Sequence, residues 1–235
     1  MIIYILRHGT TEWNRDHKIQ GSTDILLDDV GREMARQTGL SLRDKGVKFD
    51  VVYSSPLKRA YQTALMVSRP DVESFDSDNG ENSGIILDDR LRELCFGRQE
   101  GQRTDSMMYD PSVPFRYLKD KPDKYDELSE MEEDIESLTG LCARARTFLQ
   151  EKIERSTEIS PESTVLISGH GALNKALLMH IRNESEMSEF WGRGLQPNCG
   201  IDIVKYDENS KSYEILSSNN TFYDDSLTAG FTKLL

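Results

Sequence analysis

The sequence has few cysteines, no long apolar run and no excess of basic residues, and each shortage excludes a class of protein. Its three cysteines, Cys95, Cys142 and Cys199, form no Cys-x-x-Cys pair, so neither a disulfide framework nor a zinc cage is indicated. No apolar stretch reaches the roughly 20 residues that cross a bilayer. The N-terminus also lacks the basic start of a signal peptide. We therefore expect a cytoplasmic protein without a membrane partner.

The charge balance is strongly acidic. The 235 residues include 29 Lys and Arg against 41 Asp and Glu, which gives a formal net charge of −12. Because polyanions bind to broad basic faces, nucleic acid is not expected as a partner. A small anionic ligand would need arginine and histidine concentrated locally against this field. The length suits a single domain over residues 1–235, as a monomer or a homodimer.

The first candidate site residues follow the opening apolar run. Residues 2–6, Ile-Ile-Tyr-Ile-Leu, predict a buried strand, and the strand ends in Arg7-His8-Gly9. Ligands of α/β sheets gather beyond the carboxyl ends of strands. There arginine offers a planar fork for an anion, and histidine can act as a neutral nucleophile near pH 7. The triplet indicates phosphate handling, although three such residues can also simply cap a sheet edge.

A second predicted strand, residues 49–53, leads into a helix with Ser55 as its N-cap and Pro56 as its first residue. Arg59 then falls in the first helical turn. A cation there opposes the helix dipole unless a bound anion compensates for it. The alternative interpretation is a solvated surface arginine.

The middle of the chain supplies a candidate acid and a candidate lid. Residues 73–84 predict a surface loop, and a short strand after it leads to Glu93, which stands among arginines. Glu93 is either one half of an ion pair or a proton donor in a partly desolvated pocket. Prolines interrupt residues 102–133, which predict an inserted flap over a pocket.

A later strand repeats the arrangement of the first. Residues 163–168 predict a strand that ends in Gly169-His170-Gly171 before a helix. Two histidines therefore follow strand ends, and they could converge on one edge of a single sheet.

These segments, in this order, resemble the histidine phosphatase superfamily, also called the phosphoglycerate mutase-like family. The matching pieces are Arg7-His8-Gly9 with Thr11 and Asn14, residues 54–60 (SSPLKRA), Leu91-Arg92-Glu93 with Gly97, Glu100 and Gly101, and residues 168–171 (SGHG). The resemblance spans residues 1–206. It implies a three-layer α/β/α sandwich with a mostly parallel central sheet, and phosphate transfer through a phosphohistidine.

The resemblance also implies roles for individual residues. His8 would be the nucleophile, Glu93 the general acid and base, and Arg7, Arg59 and His170 the groups around the phosphoryl oxygens. The residues expected to bind phosphate or substrate are Asn14, Gln20, Gly21 and Gly171. No metal or other cofactor is expected, because guanidinium and imidazolium groups would supply the positive charge. The implied partner is a small phosphorylated metabolite.

Three points stay open in the sequence. Thr10 stands where the family usually has Glu or Gln, which bears on substrate contacts or on support of the site. The segment from Glu93 to Gly101 looks like the phosphatase branch. Arg98, Arg103 and Arg116 could still hold the second acidic group required by a 2,3-bisphosphoglycerate-dependent mutase. A non-catalytic phospho-ligand-binding module and a metal-dependent phosphatase are less favoured alternatives.

Residues 217–235 are predicted as a C-terminal tail.

Overall fold

The computed structural model describes residues 1–71, 83–192 and 194–228, and its strands form one six-stranded sheet. The strands are β1 (Ile2–Arg7), β2 (Val51–Ser54), β3 (Ile85–Leu87), β4 (Thr164–Gly169), β5 (Ile201–Asp207) and β6 (Ser212–Asn220). Their order across the sheet is β3-β2-β4-β1-β5-β6. The first four strands in that order are parallel, whereas β5 and β6 run antiparallel to their neighbours. The mostly parallel sheet is confirmed.

Helices cover both faces of this sheet. They are α1 (Glu12–Arg15), α2 (Asp29–Asp44), α3 (Lys58–Ser68), α4 (Thr104–Met107), α5 (Pro122–Ser129), α6 (Leu138–Leu149) and α7 (Gly171–Arg182). The chain after α6 continues as a π-helical segment, Gln150–Glu154. Short 3₁₀ turns occupy Asp89–Leu91, Gly97–Gln99, Pro114–Tyr117, Met187–Glu189 and Asp225–Thr228.

Successive side chains of β1 point to opposite faces of the sheet and belong to two different core clusters. Ile3 and Ile5 pack into a cluster with residues of α6 and α7, whereas Tyr4 and Leu6 pack with residues of α2 and α3. A strand buried on both faces has the near-continuous apolar sequence seen in residues 2–6. The three-layer α/β/α arrangement is therefore confirmed.

The register of β1 and β4 brings the two strand ends together. Arg7 lies opposite Gly169, and the next residue, His8, donates its backbone N–H to the Gly169 carbonyl at 3.1 Å. His170 follows Gly169 directly. The parallel pairing therefore places both histidines at the same edge of the sheet.

The predicted start of α3 is wrong by two residues. The chain stays extended through Pro56 and Leu57, so that Leu57 and not Ser55 is the N-cap residue. The hydroxyl of Ser55 accepts the N–H of Leu57 at 3.3 Å, and the carboxylate of Asp24 accepts the N–H of Lys58 at 2.7 Å. A carboxylate from a distant loop thus caps the helix.

Strand pairing extends into the segment predicted as a tail, since residues 217–220 continue β6. Residues 229–235 and most of the predicted surface loop at 73–84 lie outside the described residues. Within the described residues, no helix combines the length and apolarity needed to cross a membrane. A single domain with an inserted flap stays a prediction.

Candidate active site

A cavity of about 160 Å³ opens at the carboxyl end of β1. Seven of the nine predicted site residues line it: Arg7, His8, Gln20, Gly21, Arg59, Glu93 and Gly171. They come from segments that are far apart in the chain, so the predicted convergence is found in the structure. The remaining two, His170 and Asn14, are absent from the lining. His170 is buried beside His8.

His8 is buried and held in one tautomer. Its Nδ1 lies 2.6 Å from the carbonyl oxygen of Gly9, and because a carbonyl only accepts, Nδ1 carries the hydrogen. This leaves the lone pair on Nε2. Burial, together with the positive charges of Arg59 and Arg7, holds the pKa of His8 well below its usual value. His8 is therefore a neutral imidazole with a free nitrogen at pH 7.

The backbone around His8 is fixed by side chains that sequence reasoning missed. Asn198 donates its carboxamide N–H to the carbonyls of His8 and Gly9, at 3.1 and 3.2 Å. Thr63 accepts the N–H of Gly9 at 3.1 Å. A Cβ at Gly9 would lie 2.6 Å from the carbonyl oxygen of Gly31, so only glycine fits this approach to α2.

Arg59 is fully buried, which excludes the solvated alternative. Its guanidinium donates to the carbonyls of Gly21 and Thr23, at 2.6 and 2.7 Å. Burial lowers the pKa of Arg59 to about 10, so the group stays charged at neutral pH. The pKa of Arg7 is likewise lowered by burial to about 10, and its guanidinium donates to the carbonyl of Gln196.

Several buried nitrogens of the site have no hydrogen-bond partner among the described residues. They are Nε of Arg7, Nε of Arg59 and both ring nitrogens of His170. The His170 ring centroid lies 5.2 Å from that of His8, and burial, with the charge of Arg59, holds its pKa well below the usual value. Buried polar groups in proteins are nearly always paired. These unpaired groups indicate a polar ligand between them.

Glu93 is held by backbone donors and forms no ion pair within the described residues, although three arginines lie near it in sequence. Its carboxylate accepts the N–H groups of Leu94, Ala172 and Leu173 at 2.9, 3.2 and 3.0 Å. Ala172 and Leu173 belong to the first turn of α7, the positively polarised end of the helix. The structure therefore points the carboxylate inward, beside Gly171.

Arg144 on α6 fixes the loop that carries Glu93. Its guanidinium donates to the carbonyls of Arg90 and Arg92, both at 2.6 Å, and of Glu93 at 3.1 Å. It also forms an ion pair with Glu136 at 2.6 Å. Sequence reasoning missed Arg144, because it lies off the apolar stripe of its helix and the three carbonyls that it binds are 51 to 54 residues away.

Asn14 and Thr10 support the site from outside the cavity lining. The carboxamide oxygen of Asn14 accepts the N–H of Thr11 in a capping box on α1. The buried hydroxyl of Thr10 donates to the carboxylate of Asp28, the N-cap of α2, at 2.7 Å. Thr10 therefore supports the N-terminus of α2, and a phosphate contact for Asn14 stays a prediction.

The rest of the lining is mostly apolar, and sequence reasoning missed it. These residues are Ile19, Phe96, Met108, Phe115, Leu118, Lys119, Ala172, Trp191 and Leu195. Four of them come from the predicted flap, residues 102–133.

The arginines considered as contacts for a second acidic group lie elsewhere. Arg98, Arg103 and Arg116 are absent from the cavity lining and pair with carboxylates. In the described part of the chain, no group of three or more His, Cys, Asp or Glu side chains is placed to hold a metal ion.

Comparisons with known proteins agree with this geometry. The model of the family described as histidine phosphatase superfamily (branch 1) matches residues 3–221. Phosphoserine phosphatase 1 of Hydrogenobacter thermophilus is 27% identical over 206 residues, 88% of this chain and 87% of the relative. Among solved structures, Bacillus stearothermophilus YhfR has a TM-score of 0.75 at 24% identity, covering 94% of this chain and 97% of its own. Phosphoserine phosphatase from Entamoeba histolytica, in complex with 3-phosphoglyceric acid, has a TM-score of 0.67 at 24% identity, with the same coverages.

Proposed function

The chain belongs to the histidine phosphatase superfamily, and from this premise we propose that it hydrolyses small phosphate monoesters through a phosphohistidine on His8. Membership of the family and a relative named as a phosphatase support phosphatase activity. The observation that carries the finer proposal is the neutral, Nδ1-protonated His8 beside unpaired buried donors of Arg7, Arg59 and His170. Such a pocket could bind a phosphoryl group through these donors and place it beside His8, the nucleophile.

In the first step, Nε2 of His8 attacks phosphorus while the bond to the leaving oxygen breaks. The guanidinium groups of Arg7 and Arg59 and the imidazole of His170 stabilise the charge on the equatorial oxygens, which is the main contribution of the protein in phosphoryl transfer. In the proposed role of general acid, Glu93 gives a proton to the leaving oxygen. The three backbone N–H groups then stabilise the carboxylate that remains.

In the second step, water replaces the imidazole on phosphorus. The carboxylate of Glu93 takes a proton from water, the water oxygen bonds to phosphorus, and the N–P bond breaks. Inorganic phosphate leaves, and His8 and Glu93 return to their starting forms. Because two guanidinium groups already supply the positive charge, this cycle requires no metal ion.

Hydrolysis is favoured over mutase activity by the surroundings of the cavity. A mutase must keep a bisphosphate bound, which requires cations for a second acidic group. Arg98, Arg103 and Arg116 lie outside the lining and face carboxylates. The proposed substrate is therefore a monoester, within the broad class of small phosphorylated ligands that includes the one bound by the Entamoeba neighbour.

The test is the replacement His8→Ala, with His17→Asn as the control. We expect His8→Ala to abolish hydrolysis of 4-nitrophenyl phosphate, and the parent protein to show a phosphorylated His8 peptide by mass spectrometry after an alkaline quench. His17 lies in a loop with φ +54°, which asparagine tolerates, and the control should keep the parent rate. A His8→Ala protein as active as the parent would end the phosphohistidine proposal. Binding of phosphate esters without turnover by the parent would favour the non-catalytic module.

A further inference from the structure

The cavity lining combines a few charged side chains with a larger set of apolar ones. Arg7, His8, Arg59 and Glu93 gather at the strand ends, where the phosphoryl group would lie. Most of the other described lining side chains are apolar or aromatic, and together they form the apolar wall: Phe96, Met108, Phe115, Leu118, Trp191 and Leu195. The alcohol part of a bound ester must therefore pass along this wall.

Contacts within the protein hold the apolar wall in place. The rings of Phe96 and Phe115 pack edge to face, with centroids 5.4 Å apart. The indole N–H of Trp191 donates to the carbonyl of Leu118 at 2.6 Å, which joins the flap to the segment before β5. That N–H is consequently not available to a hydroxyl group of a substrate.

Polar side chains on the leaving-group side are few. Besides Arg7, His8, Arg59 and Glu93, the polar side chains of the described lining are Gln20, Lys119 and the indole of Trp191, whose N–H is already bonded to Leu118. Lys119 is exposed, so water and salt weaken its attraction for an anion. A sugar or glycerate ester would leave hydroxyl or carboxylate groups against apolar side chains, and unpaired buried polar groups are costly.

The size of the cavity sets a second limit. Its volume of about 160 Å³ is below the ~300–1,000 Å³ of pockets that enclose drug-sized ligands. A nucleotide or a sugar phosphate would extend beyond the wall into solvent. Only a small leaving group would be covered.

We propose that the preferred substrates are small phosphate monoesters whose leaving group is uncharged and largely apolar, and that Leu118 contributes to this preference. The proposal rests on the phosphatase function proposed above. It depends on the residues of the flap and of the segment before β5, and not on the groups that perform the chemistry.

The experiment compares three primary alkyl esters: benzyl phosphate, glycerol 3-phosphate and 3-phosphoglycerate. Their leaving groups are all primary alcohols, so differences in kcat/KM report the fit of the leaving group and not its reactivity. We expect benzyl phosphate to be favoured by at least about tenfold, since even a single methylene in an apolar pocket changes discrimination by about 10- to 200-fold.

The variant Leu118→Asn tests the wall directly. It replaces an apolar lining side chain by a polar one of similar shape, and it should lower kcat/KM for benzyl phosphate about tenfold while changing glycerol 3-phosphate less than about twofold. The matched control is Leu216→Asn, at an exposed leucine on β6 outside the lining. The control should leave all three values unchanged.

The outcomes separate this inference from the function on which it rests. If the parent protein hydrolyses none of the three esters, the phosphatase proposal itself is overturned. Hydrolysis of all three without preference for benzyl phosphate, or an unchanged preference in Leu118→Asn, would overturn only the inference. A preference for 3-phosphoglycerate that Lys119→Met removes would show that the cavity selects a second negative charge, and would also overturn the inference.

Discussion

At the scale of single residues, the burial of His8 and His170 couples the stability of the protein to pH. Both pKa values lie well below the usual value, chiefly because burial disfavours the charged form. Below a pKa of about 6.5, the unfolded chain binds protons that the folded protein does not bind. The free energy of unfolding must then decrease as the pH falls. Between pH 7 and 5.5 we expect a loss of about 1 kcal/mol for each histidine.

Urea unfolding of the parent and of His170→Gln at both pH values measures this effect. The variant should lose about 1 kcal/mol less than the parent over the same interval, because one of the two buried groups no longer titrates. Leu173→Ala, a buried apolar position on the same helix, controls for a general loss of stability without changing the titration. Equal pH dependence in the parent and in His170→Gln would contradict the prediction.

The sequence was sufficient to identify the histidines and arginines of the candidate site, but not all of the side chains that fix their positions. His8, His170 and Arg7 follow apolar strands and could be placed at strand ends, and the register of β1 and β4 confirms that they meet. Asn198 was not predicted. Its partners, the carbonyls of His8 and Gly9, lie 190 and 189 residues away, and no local pattern encodes such a contact.

At the scale of elements, α6 is tied through Arg144 to the loop that carries Glu93. This side chain holds three carbonyls of the loop that positions Glu93. We expect Arg144→Met to lower kcat about tenfold, since misplacement of an acid by about 1 Å can cost up to about a hundredfold. KM should change less than about twofold, because the groups at the phosphoryl site are untouched. Steady-state kinetics with benzyl phosphate measure both constants.

Two further variants distinguish positioning from a general effect on the helix. Arg146→Met removes an exposed arginine of the same helix and should keep the parent kinetics. Arg144→Lys keeps the charge opposite Glu136 but cannot reach all the carbonyls with one ammonium group, so its kcat should be intermediate. A rise in KM at unchanged kcat in Arg144→Met would contradict the positioning role.

Helix boundaries were predictable where the cap is local, and not where it is remote. Asp28 caps α2 with its own carboxylate, which accepts the N–H of Gly31 three residues later. In contrast, α3 begins at Lys58 because Asp24, 34 residues earlier, accepts the first N–H. The Ser55-Pro56 pair follows the usual pattern of a helix start, but tertiary structure keeps it extended. Local patterns therefore predicted which elements form better than where they begin.

At the scale of the whole molecule, the layers and the residues at the strand ends could be predicted, whereas the apolar wall of the cavity could not. Apolar periodicity indicated strands and helices in α/β order, and strand ends indicated one active edge. The apolar wall instead requires the flap to meet Trp191, 73 residues after Leu118. Prolines show that residues 102–133 contain short elements, but they do not show which side chains point inward.

The hydrogen bond between Trp191 and Leu118 gives a last prediction, because it joins two parts of the molecule across the cavity. Trp191→Phe keeps an aromatic ring but removes the N–H. Losing about 1 kcal/mol of hydrogen bonding corresponds to about a fivefold effect, so we expect KM for benzyl phosphate to rise about fivefold with a smaller change in kcat. Amide hydrogen exchange of residues 104–129 should become faster.

The control for the hydrogen bond between Trp191 and Leu118 is Trp13→Phe. Trp13 lies against Gly101, and its indole N–H makes no hydrogen bond to the described residues, so the same chemical change should leave KM and the exchange of residues 104–129 unaltered. If Trp191→Phe leaves the exchange unaltered, other contacts hold the flap, among them the packing of Phe115 on Phe96 and the hydrogen bond from Tyr125 to the Glu136 carbonyl. If only KM rises, Trp191 acts by touching the substrate and not by holding the flap. A rise in KM together with faster exchange would therefore show that the hydrogen bond from the Trp191 indole N–H holds the flap.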